Sequence, residues 1–194
     1  VMAHATLTAA AIDSVISSHD INVSMLQHAL PQFGLDLTAG QNNIISNYLS
    51  STGTGFSSLG MQASNDSLIN LNAKVLRFNS GSTTADTIAT TITQQGDTLD
   101  YRIHMGNRPG TLDQWATVTA RGRASGNRAS ILFHQQNIDG RTGYRLGFIA
   151  RWLPDEIRIR VVPAHPVIGY KNWTVNDPNF VILNTAHKHF DANL

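Results

Sequence analysis

From about residue 56 onward the chain alternates apolar and polar positions with a period of two. Ile69, Leu71, Ala73 and Val75 take turns with Asn70, Asn72 and Lys74, and Leu99, Tyr101, Ile103 and Met105 with Asp100, Arg102 and His104. Ile131 and Phe133 continue the theme. Tyr144, Leu146, Phe148, Ala150 and Trp152 follow, then Ile157, Ile159 and Val161 against Arg158 and Arg160. Successive side chains of a strand point to opposite faces, so each run predicts a strand with one apolar and one wet face. Between the runs stand Asn79-Ser-Gly81, Gly106-Asn-Arg-Pro-Gly110, Ser125-Gly-Asn127, Asp139-Gly140 and Leu153-Pro-Asp155. These are turn compositions, in which Gly and Pro set the required backbone angles. The pattern predicts an antiparallel meander of at least about eight strands.

Before residue 56 a period of 3.6 is visible twice. Ser24-Met-Leu-Gln27 has the spacing of a capping box, and Pro31 ends the short helix that would follow. Thr38 is placed to cap a second helix, with Ile44, Ile45, Tyr48 and Leu49 on one side before the glycines at 53 and 55 break the pattern. Ala5, Leu7, Ala9 and Ala11 alternate and suggest one more strand. The expected fold class is therefore mainly β, with one or two short helices near the N-terminus. One domain over 1–194 is expected, made of a helix-containing leading segment, 1–55, and a β-sheet region, 56–194.

Composition narrows the function. The 194 residues are enough to bury a core, yet only 14% are charged, against about 25% in an ordinary soluble domain. A net charge of +1 gives no footprint for wrapping nucleic acid, so no nucleic-acid partner is expected. The absence of cysteine excludes disulfides, thiolate metal sites and a cysteine nucleophile. No apolar run is long enough for a membrane-spanning helix, and Val1-Met2-Ala3-His4-Ala5 opens no signal peptide. The last residues, His189 to Leu194, still alternate, which reads as a fragment cut from a longer protein with any targeting signal or anchor outside it.

Candidate chemistry is sparse. Gly55-Phe-Ser-Ser-Leu-Gly60 has the glycines of a nucleophile turn without its strand-to-helix setting, and reads as a polar loop. Gly143 and Gly147 interrupt a strand pattern, as at a bulge or a close backbone approach. His187 and His189 fall on one face of a strand and could hold a metal with a third ligand, but a solvated pair is the plainer reading. Three Asn-x-Ser/Thr triplets, at Asn22, Asn65 and Asn172, are no more than an Asn-rich and Ser/Thr-rich chain produces by chance. No catalytic residues, metal or cofactor are expected, and the chain reads as a non-enzyme. Arg121, Arg123, Arg128, Arg141, Arg145 and Arg151 cluster between the strands of the middle third. They read either as a basic rim attractive to anionic headgroups or as ordinary occupants of polar sheet positions.

The apolar face itself remains. In a closed sandwich it would meet a second sheet; in an open sheet something else must cover it. Acyl chains would contribute about 0.8 kcal/mol per buried methylene. The residue pattern leaves both arrangements open, the closed core being the simpler.

A resemblance bears on that choice. Pro163-Ala-His-Pro166-Val-Ile168-Gly-Tyr170-Lys-Asn-Trp173-Thr-Val175-Asn176-Asp-Pro-Asn179-Phe-Val-Ile182 resembles a stretch of the family of the translocation and assembly module subunit TamB, within the AsmA-like group of Gram-negative bacteria. The passages from Phe133 to Gly147 and from Leu35 to Leu49 are similar to that family as well. The resemblance implies a periplasmic protein anchored in the inner membrane, whose β-structure forms an open groove of the β-taco kind that carries phospholipids toward the outer membrane. It also implies an outer-membrane barrel protein as partner, met through regions outside this chain, and no catalytic residues. It makes the open groove the expected use of the alternating face. The expected lining is Leu99, Tyr101, Ile103 and Met105, Ile131 and Phe133, Tyr144, Leu146 and Phe148, and Ile157 and Ile159, sharing one concave surface in contact with acyl chains. A closed β-sandwich that binds a protein strand through its sheet edge and assists outer-membrane protein insertion is the alternative.

Overall fold

Helix α1 (Val23–Ala29) begins where Asn22 can cap it, the side-chain oxygen accepting from the Met25 N–H at 2.7 Å. The cap thus lies two residues before Ser24, the position that the capping-box spacing singled out; the Ser24 backbone N–H instead donates to Asp97 at 3.0 Å. These coordinates come from a computed structural model, which describes residues 22–107, 115–184 and 189–194. Helix α2 (Ile44–Ser51) is capped by Asn43, whose side chain accepts from the Ile45 and Ser46 N–H groups while the Ser46 hydroxyl accepts from the Asn43 N–H. That reciprocal box satisfies orphan donors that Thr38, five residues earlier, cannot reach. Thr38 lies instead in strand β1 (Gly34–Ala39).

The remaining elements among the described residues form one open antiparallel sheet of 13 strands. After β1 come β2 (Thr54–Gly55), β3 (Ser58–Ser64), β4 (Asn70–Ser80), β5 (Thr83–Gln95), β6 (Thr98–Gly106) and β7 (Trp115–Ser125). Then follow β8 (Arg128–Asn137), β9 (Thr142–Leu153), β10 (Glu156–Ile168), β11 (Lys171–Asn172), β12 (Phe180–Asn184) and β13 (His189–Asn193). From β3 to β10 each strand pairs with the next. β1 closes on β3, β13 on β12, and the short β2 and β11 hang on β4 and β10. Among the described residues the first and last strands do not pair, so the sheet is open.

The turns expected around Gly81, Gly126, Gly140 and Pro154 stand where the sequence placed them, and Gly81 and Gly126 adopt the positive φ (57° and 54°) that such reversals require. Three points differ from expectation. β1 lies inside the leading segment yet joins the sheet, its Leu35, Leu37 and Ala39 opposite Ala63, Met61 and Leu59. Gly55 to Gly60 is not a polar loop: Phe56 is buried and Ser58 opens β3. Arg121, Arg123, Arg128, Arg145 and Arg151 lie on β7, β8 and β9 rather than between strands; only Arg141 precedes its strand, stacked over the Tyr170 ring at 5.1 Å. The alternation proposed for Ala5 to Ala11 lies outside the described residues.

Two asparagines act as clasps. Buried Asn65 accepts from the Phe33 N–H and donates to the Pro31 carbonyl, tying the chain after α1 to the end of β3. Buried Asn179 accepts from the Val161 N–H at 2.7 Å, and Asn176 donates to Asn193, which in turn donates to the Pro178 carbonyl. The Trp173-to-Asn179 stretch therefore serves to fasten the crossing from β11 to β12 onto β10 and β13.

In the middle of the sheet Gly122 allows a close approach. A Cβ there would lie 1.8 Å from the Ser130 carbonyl oxygen and 2.5 Å from the Tyr101 hydroxyl. Gly122→Ala is therefore expected to lower the unfolding free energy by about 1–3 kcal/mol. Gly60→Ala, where nothing lies within 4 Å, should be neutral or mildly stabilising. Urea denaturation followed by circular dichroism compares the two.

Candidate functional site: an uncovered apolar sheet face

In an antiparallel pair, residues directly opposite each other project from the same face. One register line runs Leu35, Ala63, Leu71, Ile92 and Tyr101, then Gly122, Ile131, Phe148 and Val161, crossing nine strands from β1 to β10. A second joins Leu37, Met61, Ala73 and Thr90 to Ile103, Ala120, Phe133 and Leu146. Met105 faces Ile88 and Val118, Leu99 faces Ala124, Ile157 faces Trp152 and Leu183, and Ile159 faces Ala150 and Val181. Tyr144 meets Phe133 edge to face, with ring centroids 6.5 Å apart. All eleven residues singled out from the alternation thus lie on one face. Their strand partners, from β3, β4, β5, β7 and β12, extend the same face.

Little covers this face. Among the described residues only Val23, Ala39, Phe56, Ala85, Pro166 and Val167 are buried apolar side chains. Ile103, Ile131, Tyr144 and Phe148, in the middle of the sheet, keep 42%, 40%, 40% and 41% of their surface exposed. Covering the exposed remainder of one such side chain, on the order of 80 Å², contributes about 2 kcal/mol at ~25 cal/mol per Å². A handful of them equals the whole stability of an ordinary domain, about 5–15 kcal/mol. The face is thus an energetic liability in water and an asset to any apolar occupant.

Tyr101 is the polar exception. Its ring crosses β7 over Gly122 and its hydroxyl donates to the Ser130 carbonyl at 2.6 Å, so a glycine and an aromatic share one site. Sequence alternation finds Tyr101 but not this crossing, because the glycine that makes room lies on another strand. Gln135, at one end of the face, has a buried carbonyl oxygen without a partner, against which any side chain at Gly143 would collide.

The opposite face is polar. A cavity of about 920 Å³ opens on it, not on the apolar face, and runs from Thr91 and Thr93 on β5 to Val162 and Pro163 on β10. Concavity was expected of the apolar side; the cavity found here belongs to the other. Of the histidine pair, His189 is exposed on β13 and His187 lies outside the described residues; among the described residues no group of three potential metal ligands comes together. No described helix is long and apolar enough to cross a membrane.

No protein-family model matches this chain, and no curated protein or solved structure matches it either.

Burial holds the Tyr101 hydroxyl above the ordinary tyrosine range. The unfolded chain therefore ionises first, from about pH 10. The contribution of Tyr101 to stability should be complete below that pH and fade as the pH rises through the higher native value. Tyr101→Phe is expected to lose about 0.5–1.5 kcal/mol at neutral pH, from the missing hydrogen bond. It should also flatten the alkaline fall in the denaturation midpoint that begins at about pH 10.

Proposed function

We propose that this sheet is a segment of a periplasmic, inner-membrane-anchored protein that moves phospholipids between the two membranes of a Gram-negative envelope and supports outer-membrane assembly. In this reading the face of Leu99, Ile103, Ile131, Phe148 and their neighbours shelters acyl chains, and a barrel protein of the outer membrane is met by regions beyond this chain. The observation that carries the reading is the apolar register across nine strands with no second layer of described residues over its centre. The resemblance of the Trp173-to-Ile182 stretch to the TamB family supports it. The proposed role is transport without chemistry: no covalent step, cofactor or metal is involved.

A second reading keeps a protein-binding role. β1 and β13 each pair on one side only among the described residues, and such edges accept a further strand. A peptide added there would leave the apolar face open, whereas lipid would occupy it.

A photo-crosslinking residue at Ile103 or Phe148 of the full-length protein in cells should capture phospholipid. Ile103→Asp and Phe148→Asp should each cost only about 1 kcal/mol of stability, because the carboxylate can reach solvent, while blocking lipid passage. If instead both variants unfold by several kcal/mol and the crosslinker captures protein alone, the face is an interior and the transport reading fails.

A further inference from the structure

The chain carries a net charge of only +1, yet eight of its eleven arginines are gathered on the polar face of five consecutive strands, β6 to β10. Arg102 on β6 stands directly opposite Arg121 on β7. Further along, Arg128, Arg151 and Arg158 form another line across β8, β9 and β10. Like charges placed directly opposite on a sheet destabilise it. Two carboxylates relieve part of this: Asp100 binds Arg123 with Nε to Oδ1 at 2.7 Å, and Glu156 binds Arg158 at 2.5 Å. Arg102, Arg121 and Arg145 have no ion pair or side-chain hydrogen bond among the described residues.

These three cations share the 920 Å³ cavity with the Asp100–Arg123 ion pair and His165, and part of the remaining lining is aliphatic. The register line that carries Arg102 and Arg121 continues through Leu132 and Gly147 to Val162. Gly147 presents no side chain, and the Leu132 side chain lies across it, Cδ1 being 3.1 Å from where a Cβ would stand. Ile149, Val162 and Pro163 extend this low aliphatic floor. Three strand spacings, about 14 Å, separate β7 from β10. The floor is thus long enough for an extended chain of about twelve carbons, with Arg102 and Arg121 at its β6–β7 end and Arg145 beside it on β9.

We propose that this cavity binds a single-chain phosphate amphiphile, its anionic head held by Arg102 and Arg121 and its alkyl chain laid over Leu132, Ile149 and Val162. Guanidinium groups match phosphate oxygens in charge and in paired N–H geometry, and the bound anion removes the Arg102–Arg121 repulsion. The site lies on the opposite face from the acyl-chain surface and stands or falls independently of it.

Dodecyl phosphate below its micellar concentration, titrated into the purified chain, is the direct probe. Saturable binding is expected, weakening about tenfold in Arg102→Gln/Arg121→Gln and with added salt, and unchanged in Arg151→Gln, which lies outside this cavity. Arg121→Gln alone, which relieves a like-charge contact, is expected to fold at least as well as the parent and to lose part of the affinity. Dodecylphosphocholine, whose head is zwitterionic, and inorganic phosphate, which has no chain, should each bind more weakly. The proposal is overturned by any of four results: no saturable binding to the folded chain, an equal loss in Arg151→Gln, parity of inorganic phosphate with dodecyl phosphate, or parity of the zwitterion. None of these results bears on crosslinking at Ile103 or Phe148, so the two faces are tested separately.

Discussion

The structure depends on cross-strand register. Because side chains alternate along a strand with a period of two, a slip of one residue between any two strands would send every apolar side chain of one of them to the polar face. From β3 to β9 the pairing holds register so that Val75, Ile88, Met105 and Val118, or Leu71, Ile92 and Tyr101, fall in line. The irregularities lie near strand ends, at Trp115/Thr117 and Gln135/Gln136, and in the second half of β10. There the extra residues bend the backbone without scrambling the central lines. Such fidelity is what turns many short amphipathic strands into one continuous surface.

That surface separates two environments. One side is mainly aliphatic and aromatic, with Thr90, Gln94 and Gln135 among its polar interruptions; the other carries arginine, threonine and asparagine. A globular protein resolves the same asymmetry by folding a second layer over the apolar side. Here the central residues remain about two-fifths exposed and the described residues bury almost no core. The sheet is therefore held by its backbone ladder and by cross-strand side-chain contacts more than by an interior. Its apolar side gains most from an external occupant, and acyl chains suit a surface that offers width and length but few directional groups.

Much of this was legible in the sequence, and the failures have physical causes. The alternation at 69–75, 99–105, 144–152 and 157–161 located strands because Leu, Ile, Val and Phe contrast sharply with Asn, Asp and Arg. β5 and β7 escaped notice because Thr occupies both faces of Thr83–Gln95, and because small Ala and Gly fill the apolar positions of Trp115–Ser125. Threonine is β-branched and fits a pleat whichever way it points, so it forms strands without drawing a contrast. The cap at Thr38 failed because capping is a competition: Asn43 with Ser46 offered two reciprocal bonds closer to the helix. The eleven apolar face residues could be named from phase alone, since phase is local. Pairing between distant strands, which decides that Tyr101 crosses Gly122 and that Arg102 confronts Arg121, is not local and left no mark on either segment by itself.

The chain has no cysteine, so a single introduced thiol reports one position without background. The most direct test of the account attaches an environment-sensitive fluorophore to Phe148→Cys on the apolar face or Arg151→Cys on the polar face of this chain, and adds phospholipids brominated along their acyl chains. The account predicts quenching at position 148 and none at position 151. Absence of quenching at 148, or equal quenching at both, would contradict it.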